Sequence, residues 1–525
     1  MKVFALFFSF SFFALSLTGQ NDVSKDVEKL SLFLNSLNER YVDSVETSTL
    51  LEKGIRSMLE ELDPHSVYMN PSQYIAATEP LKGNFKGVGI RYQIILDTMT
   101  VLEVMPSSPS ERGGIKRGDQ FIAIGKDTIA GKKLSSGEMS RFLKSDENMN
   151  EPVSIFRNGG KERLEIVLER DNIKVSSVPA AFLLEDHIGY IKFSRFSSTS
   201  LTDFRAEMDK LRSSGMKHLV FDLRGNSGGY LNVAVKILDE FIPDRRLLVY
   251  TEGTHQSRKE TFSTSGGRFT RGDLVVLIDE NSASASEVVA GALQDLDRAL
   301  IMGRRSYGKG LVQRTVEFDD GSAMRMTISR YYTPTGRSIQ RPYDEGLKAY
   351  KSEGRKRKES GELYSADSIE INDSLVYYTP ARRKVYGGGG IIPDVFVPAD
   401  SSKSSPFMRS LVKSGLHVRT ALDYVDSHSD ELSIYPSVQG YTSKFIVPET
   451  LLNEVRMAAS KRGDICSDEE FEAAKIDLNE VMKTLIARFY FGYEDHFYVI
   501  ASYDEMIHKA IDDIQNDTFK ELGLK

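Results

Sequence analysis

The hydrophobic period of this chain changes three times, and each change calls for a different kind of folded layer. From Val23 to about Tyr74 the apolar residues Val27, Leu30, Leu34 and Leu37, then Leu50, Ile55, Met58 and Leu59, fall at helical spacing, which reads as a small helical leader. From Phe85 to about Arg170 the period shortens. The runs VGIRYQIIL, TVLEVM, QFIAI, VSIF and RLEIVL are separated by turn residues, with one helical stretch near Gly137 to Leu143, and a compact, mainly β unit of about 90 residues fits that pattern. From about Lys174 to Asp394, HIGYIKF, HLVFDL, LVVLID and ALIMG alternate with the amphipathic segments LNVAVKILDEFI and SEVVAGALQDL, as an α/β layer requires. FDDGSAMRM adds an Asp-Gly turn between two strand-like runs. The charged stretch Tyr350 to Glu362 has no apolar period and reads as a solvated excursion. After about Ser401 the pattern is helical again. Its clearest piece starts at Ser467, whose Ser-x-x-Glu spacing to Glu470 is a capping box.

A chain of 525 residues that is 40% hydrophobic has material for several cores, roughly three to four folded units. Its 75 acidic residues outnumber 68 basic ones, so no basic face for nucleic acid is announced and polynucleotide partners are disfavoured. A single cysteine, Cys466, excludes an intrachain disulfide framework and any multi-cysteine zinc site. At the N-terminus, Met1 and Lys2 precede an almost unbroken apolar run from Val3 to Leu17, with Thr18 and Gly19 next. That is the layout of an export signal, residues 1–19, and the run is shorter than the roughly 20 apolar residues a membrane span needs. An exported protein is expected, and one tethered to the membrane if the segment is retained.

Three segments compete for the chemistry. GNSGG, Gly225 to Gly229, has the form of a nucleophile elbow between a strand and a helix, which would make Ser227 the attacking group and would need a histidine further along. Gly303 to Lys309 has the spacing of a phosphate loop, but Gly310 stands where a hydroxyl should hold magnesium and LVQRTVEF follows as a strand, so nucleotide binding is disfavoured. The third, Asn281 to Glu287 (NSASASE), follows the strand LVVLID and opens the helix EVVAGALQDL. Ser284 there sits where the helix dipole and the free N–H groups of a first turn can meet a developing oxyanion. Ser284-x-x-Glu287 is equally the spacing of a plain capping box. Lys309, in the tight turn Tyr307-Gly308-Lys309-Gly310 after the next strand, is brought close to that helix start by adjacent strand ends. A lysine serves as a base only when neutral, which demands a dry pocket away from carboxylates.

Ser-Ala-Ser284-Ala-Ser-Glu, the GALQD of Gly291 to Asp295, and Gly308-Lys309-Gly310 followed by Gln313 resemble the carboxyl-terminal processing proteases, also called tail-specific proteases, of peptidase family S41. The blocks IGYIKFSRF, LVFDLRGNSGG, RYYTPTGRSIQ and GGGGIIPD agree in order, and the resemblance spans about Val23 to Asp394. It implies Ser284 as nucleophile, Lys309 as general base and Gln313 as the group that orients Lys309. It also implies an oxyanion hole from the N–H of Ala285 and one from the Gly228-Gly229 turn, and a structural carboxylate at Asp295. Ser286 is the spare nucleophile, but lies 23 residues from Lys309 where Ser284 lies 25, the family's spacing. No metal or cofactor is implied.

The β unit resembles a PDZ module. Gly87-Val88-Gly89-Ile90 would be its carboxylate-binding loop, and Ile90 to Leu96 the strand that pairs with a peptide. SPSERGGIKRGDQFIAI, from Ser108, looks like the segment such modules carry, with Ser110 and Gly113 in place of the customary alanines. The fold expected is multidomain α/β: a helical leader (20–83), the PDZ-like insert (84–172), a crotonase/ClpP-like S41 core (173–400) and a C-terminal helical domain (401–525). The expected partners are exported or periplasmic proteins with exposed C-terminal tails, and a homodimer or an adaptor protein fits as well. Two other readings stand beside the serine endopeptidase: an inactive PDZ-bearing chaperone or adaptor, and a hydrolase using Ser227.

Overall fold

The computed structural model describes residues 23–144, 152–185, 187–400, 405–464 and 466–524; the apolar run Val3 to Leu17 and its break at Gly19 lie outside them. The chain forms two compact units that divide between Leu62 and Asp63. In the first, the helices Val23–Arg40 and Thr47–Glu60 pack against each other. Among the described residues no helix is long and apolar enough to cross a membrane.

The second unit is built on a six-stranded sheet in the order Ala180–Leu183, Ile188–Lys192, His218–Asp222, Leu274–Ile278, Leu300–Gly303, Val395–Phe396. The first pair is antiparallel and the rest are parallel. Strands such as LVVLI are apolar at every position because both faces of a parallel sheet are covered. On one face lie the helices Ser200–Ser213, Leu231–Asp239 and Ala285–Asp295. They close over Phe193, Phe204, Phe221 and Phe241, whose rings meet at 5.5–6.1 Å, the spacing of favourable edge and tilted contacts. The opposite face is covered by the helix Glu505–Gln515, which sets Met506, Ile507, Ala510 and Ile511 on Tyr190, Val220, Val275 and Leu277.

A second sheet runs Val67–Met69, Ala323–Tyr332, Leu247–Gly253, Gln256–Phe262, with Leu311–Glu317 also paired to Ala323–Tyr332. The helical spacing read through Tyr74 therefore breaks at Pro64, which cannot continue a helix, and Val67–Met69 becomes a strand. A third, antiparallel sheet holds Ile90–Ile95, Thr98–Val104, Gln120–Ile124, Pro152–Arg157 and Glu162–Val167 around Met99, Val101, Phe121 and Ile155. Its entry and exit strands, Asn84–Gly87 and Asp171–Lys174, pair with each other, so this β module is an insertion with both ends in one place. The C-terminal helices, among them Leu416–Ser427 and Asp468–Tyr490, form their own core and also pack on Ile95 and Leu102 of the β module.

The stretch Tyr350 to Glu362 is not the solvated excursion its composition suggests. It carries the helix Leu347–Glu359 with Tyr350 and Arg357 buried. Arg357 donates to Glu362 Oε1 at 2.7 Å and to the carbonyls of Ser306 and Arg305, and Arg341 lies 3.8 Å over the Tyr350 ring. Charged residues that satisfy one another can be buried without an apolar stripe, and a period count does not register them.

Candidate active site

The strand Leu274–Ile278 runs into a turn held by Asp279. Its Oδ1 accepts from the backbone N–H of Gly225 (2.9 Å), Asn281 (3.1 Å) and Ser282 (3.0 Å). The turn delivers Ser284 to the mouth of the buried helix Ala285–Asp295. An ordinary N-cap serine is extended, as Ser467 is here at φ −65°, ψ 164°. Ser284 sits at φ 56°, ψ −112°, a conformation that costs about 1–3 kcal/mol for a residue with a side chain. The plain cap reading does not account for that strain. Neighbouring hydroxyls are committed elsewhere: Ser282 donates to Leu223 O (2.9 Å) and the spare candidate Ser286 to Asn226 O (2.8 Å).

Glu287, fully buried, ties this helix mouth to the Lys309 turn. Its Oε2 accepts the N–H of Ser284 (2.7 Å) and of Lys309 (2.9 Å), and its Oε1 accepts the N–H of Gly308 (2.7 Å) and the Ser306 hydroxyl (2.5 Å). Burial pushes its carboxyl up to about 7 against the pull of these four donors. Sequence reasoning assigned Glu287 a local cap alone. The anion held by the phosphate-loop-like segment Gly303 to Lys309 is this carboxylate. Tyr331 completes the tie, its hydroxyl donating to Lys309 O at 2.7 Å and Ser284 O at 3.1 Å.

Lys309 Nζ donates to Gln313 Oε1 at 3.0 Å. Gln313 Nε2 in turn donates to His65 O at 2.5 Å, so the amide is oriented with its oxygen towards the amine. Burial, and then the positive charge of Arg325, push the Lys309 amine down from 10.5 to about 8. His65 is pushed down to about 4 by burial and by Lys309, and its Nε2 lies 2.8 Å from Tyr350 Oη. The segment that places His65 is the Asp63-Pro64-His65-Ser66 turn, where Asp63 accepts from His65 N, Ser66 N and the Ser66 hydroxyl. The only sequence signal for it is the Asp-Pro pair at a helix end.

Ser284, Ala285, Lys309, Gln313, Ser227, Gly228 and Gly229 all line one cleft of about 510 Å³. Within it the Ser284 hydroxyl and the Lys309 amine share no direct hydrogen bond; the amine's bond goes to Gln313. Among the described residues the N–H of Ala285 and of Gly229 donate to no protein acceptor, whereas that of Gly228 is already given to Asn226 Oδ1 at 2.9 Å. Of the two glycines, then, Gly229 has the open N–H. Gly228 serves by its size. A Cβ there would lie 2.8 Å from Ala283 O, 2.9 Å from Ser284 Cβ and 3.0 Å from Ala285 N. Ser227 is exposed in the same cleft, and among the described residues no histidine lines it, so the elbow reading lacks its base. Asp295 lies outside the cleft lining and is bound to Arg337 at 2.8 Å, both side chains fully buried. The arrangement offers a serine on a strained backbone, an amine that holds its proton less tightly than a free lysine and open N–H donors at a helix mouth, the parts acyl transfer requires.

The family model for peptidase family S41 matches residues 187–348. A model for the activating protease CtpB N-terminal domain matches 14–72 and one for a family of unknown function, DUF8443, matches 407–492. Over 334 residues, 62% of this chain and 76% of the relative, the chain is 33% identical to a carboxy-terminal-processing protease of Bartonella bacilliformis. It is 29% identical over 367 residues to the carboxy-terminal processing protease CtpB of Bacillus subtilis, covering 69% of this chain and 74% of that one. Among solved structures, a photosystem II D1 C-terminal processing protease is similar over 70% of this chain and 86% of that one, at 24% identity and a TM-score of 0.36.

Proposed function

The chain belongs to the carboxy-terminal-processing proteases of peptidase family S41, serine-type endopeptidases, and from that premise we propose that it cleaves peptide bonds through Ser284 and Lys309. The observation that carries this reading is the joint placement of the strained Ser284 and the depressed Lys309 amine in one cleft, tied together by Glu287. Neutral Lys309 takes the Ser284 proton as the hydroxyl attacks the carbonyl carbon of the substrate. The resulting oxyanion is met by the N–H of Ala285 and Gly229. Lys309 then protonates the leaving amine, and water resolves the serine ester by the same base. Gln313 keeps the amine aimed without adding a negative charge that would hold its proton. The direct Ser284–Lys309 hydrogen bond forms as substrate fills the cleft and displaces water, a tightening common at catalytic pairs.

The β module would capture substrate tails as a PDZ domain does. Ile90–Ile95 stands at the edge of its sheet, where a peptide can add as a further strand. In the loop Gly87-Val88-Gly89-Ile90, Gly89 has φ 80° and a Cβ there would lie 2.2 Å from Ser108 Cβ, so only glycine supports this turn. The substrates would be exported or periplasmic proteins with exposed tails. The test is cleavage of a tail-bearing protein by wild type, Ser284→Ala, Lys309→Ala and Ser227→Ala. Loss of turnover in the first two variants, with Ser227→Ala active, is expected. Activity lost in Ser227→Ala alone would transfer the chemistry to the GNSGG turn, and a wild type that binds tails without cutting would make this an adaptor.

A further inference from the structure

The cleft around Ser284 is cationic in a chain whose formal net charge is −7. Arg195, Lys309 and Arg325 line it, and among the described residues no aspartate or glutamate does. Arg325 is the informative member. It stands on the strand Ala323–Tyr332 between Val67 and Thr315 of the flanking strands, half-buried, with its Nε shielded from solvent and bonded to nothing. Burial weakens its hold on its proton. Among the described residues it forms no ion pair. Burial is the one influence on its proton, with no carboxylate acting on it; Asp63 accepts from the N–H of His65 and Ser66 and from the Ser66 hydroxyl, and Glu317, two residues along the neighbouring strand, accepts from the Tyr74 hydroxyl at 2.5 Å. Arg195, also in no ion pair among the described residues, lies exposed on the loop whose Phe196 bridges to Gly229.

A partly desolvated guanidinium with no counter-ion is unfavourable in the empty cleft, and the imbalance is relieved by an incoming anion. We propose that Arg325, assisted by Arg195, forms a carboxylate subsite, so that this protease prefers substrates presenting a carboxylate within a few residues of the bond it cuts. The proposal rests on the assignment of this cleft as the peptidase site. The carboxylate is supplied by an acidic side chain or by the free end of the substrate chain, and both present the same two oxygens to the fork of the guanidinium.

The experiment uses the full chain and matched peptides. One series is amidated at the C-terminus and carries a single Glu or Gln at each of three positions on either side of the cleaved bond. A second series compares a free terminus with an amide a few residues past that bond. Wild type is expected to cut the acidic member of one pair with about tenfold higher kcat/KM, and Arg325→Gln to bring that ratio to about one. Arg325→Glu should invert it in favour of the neutral member of the pair. The series in which the ratio changes identifies the source of the carboxylate. Equal rates for every pair in wild type, or a preference that survives in Arg325→Gln, overturns the proposal. Binding of the same peptides to Ser284→Ala and to Ser284→Ala/Arg325→Gln, followed by fluorescence anisotropy, decides the subsite even if turnover is absent. A selective but uncut acidic peptide would sink the protease reading and keep the carboxylate site.

Discussion

Replacing Lys309 by methionine should abolish peptide cleavage while making the protein more stable at neutral pH. The Lys309 amine is held at about 8, down from 10.5, a displacement worth about 3.4 kcal/mol between its two protonation states. At pH 7 about a tenth of the molecules then carry a neutral amine, against roughly 0.03% for an ordinary lysine, a gain of about 300-fold in available base. The same displacement opposes folding. Because the folded value lies below the unfolded one, the charged amine destabilises the native state fully below pH 8, and the penalty fades as pH rises from about 8 to 10.5. Methionine keeps the length of the side chain and removes the charge. Allowing for the lost Gln313 hydrogen bond and for partial solvent access, Lys309→Met should gain about 1–2 kcal/mol at pH 7 and little or nothing by pH 10. The assays are denaturant unfolding of both proteins at pH 7 and pH 10, and wild-type kcat/KM from pH 6 to 9.5. That profile should rise about tenfold between pH 6 and 7 and level off above pH 8. A flat profile between pH 6.5 and 8.5, or a methionine variant less stable than wild type at pH 7, would refute a desolvated base at this position.

Gly228→Ala should cost stability, since the residue sits at φ 101°, and lower kcat by about a hundredfold or more in the molecules that fold, because the new methyl is driven against Ala283 O and Ser284 Cβ and shifts the open N–H of Ala285; kinetics normalised to the folded fraction from circular dichroism check it. Glu287→Gln should destabilise by about 2–4 kcal/mol and reduce turnover, since an amide nitrogen would face N–H donors that now meet a carboxylate oxygen; unfolding and turnover should fall together. Asp295→Ala should cost about 3–5 kcal/mol by leaving the buried Arg337 guanidinium without its carboxylate, only the neutral acceptors Tyr386 O and Gln294 Oε1 remaining, with the residual folded enzyme retaining its pH profile, and a profile displaced from that of wild type would place Asp295 in the chemistry.

Much of the architecture was legible in local pattern. LVVLID, HLVFDL and ALIMG are parallel strands, the Asp-Gly turn joins Leu311–Glu317 to Ala323–Tyr332, and Ser467 caps its helix with Glu470. Each of these depends on residues within a few positions of one another, where period and turn chemistry act directly. Ser284 and Lys309 stood out in short motifs that also allowed a plain helix cap and a surface lysine, and the resemblance to family S41 nominated them, with Gln313, for the site. Their environment could not be read that way. The clasp of Glu287 across to Gly308 and Lys309, the His65 carbonyl that turns Gln313, the anchoring of the helix Leu347–Glu359 by its buried Tyr350 and Arg357, and the absence of an ion pair at Arg325 among the described residues all depend on segments far apart in the chain meeting in space. An amine's proton affinity and a guanidinium's lack of a counter-ion are set by the dielectric and the charges within a few ångströms, and those neighbours come from every part of the folded unit. Linear order records which groups are present; packing chooses which of them lose water and which partner each one keeps.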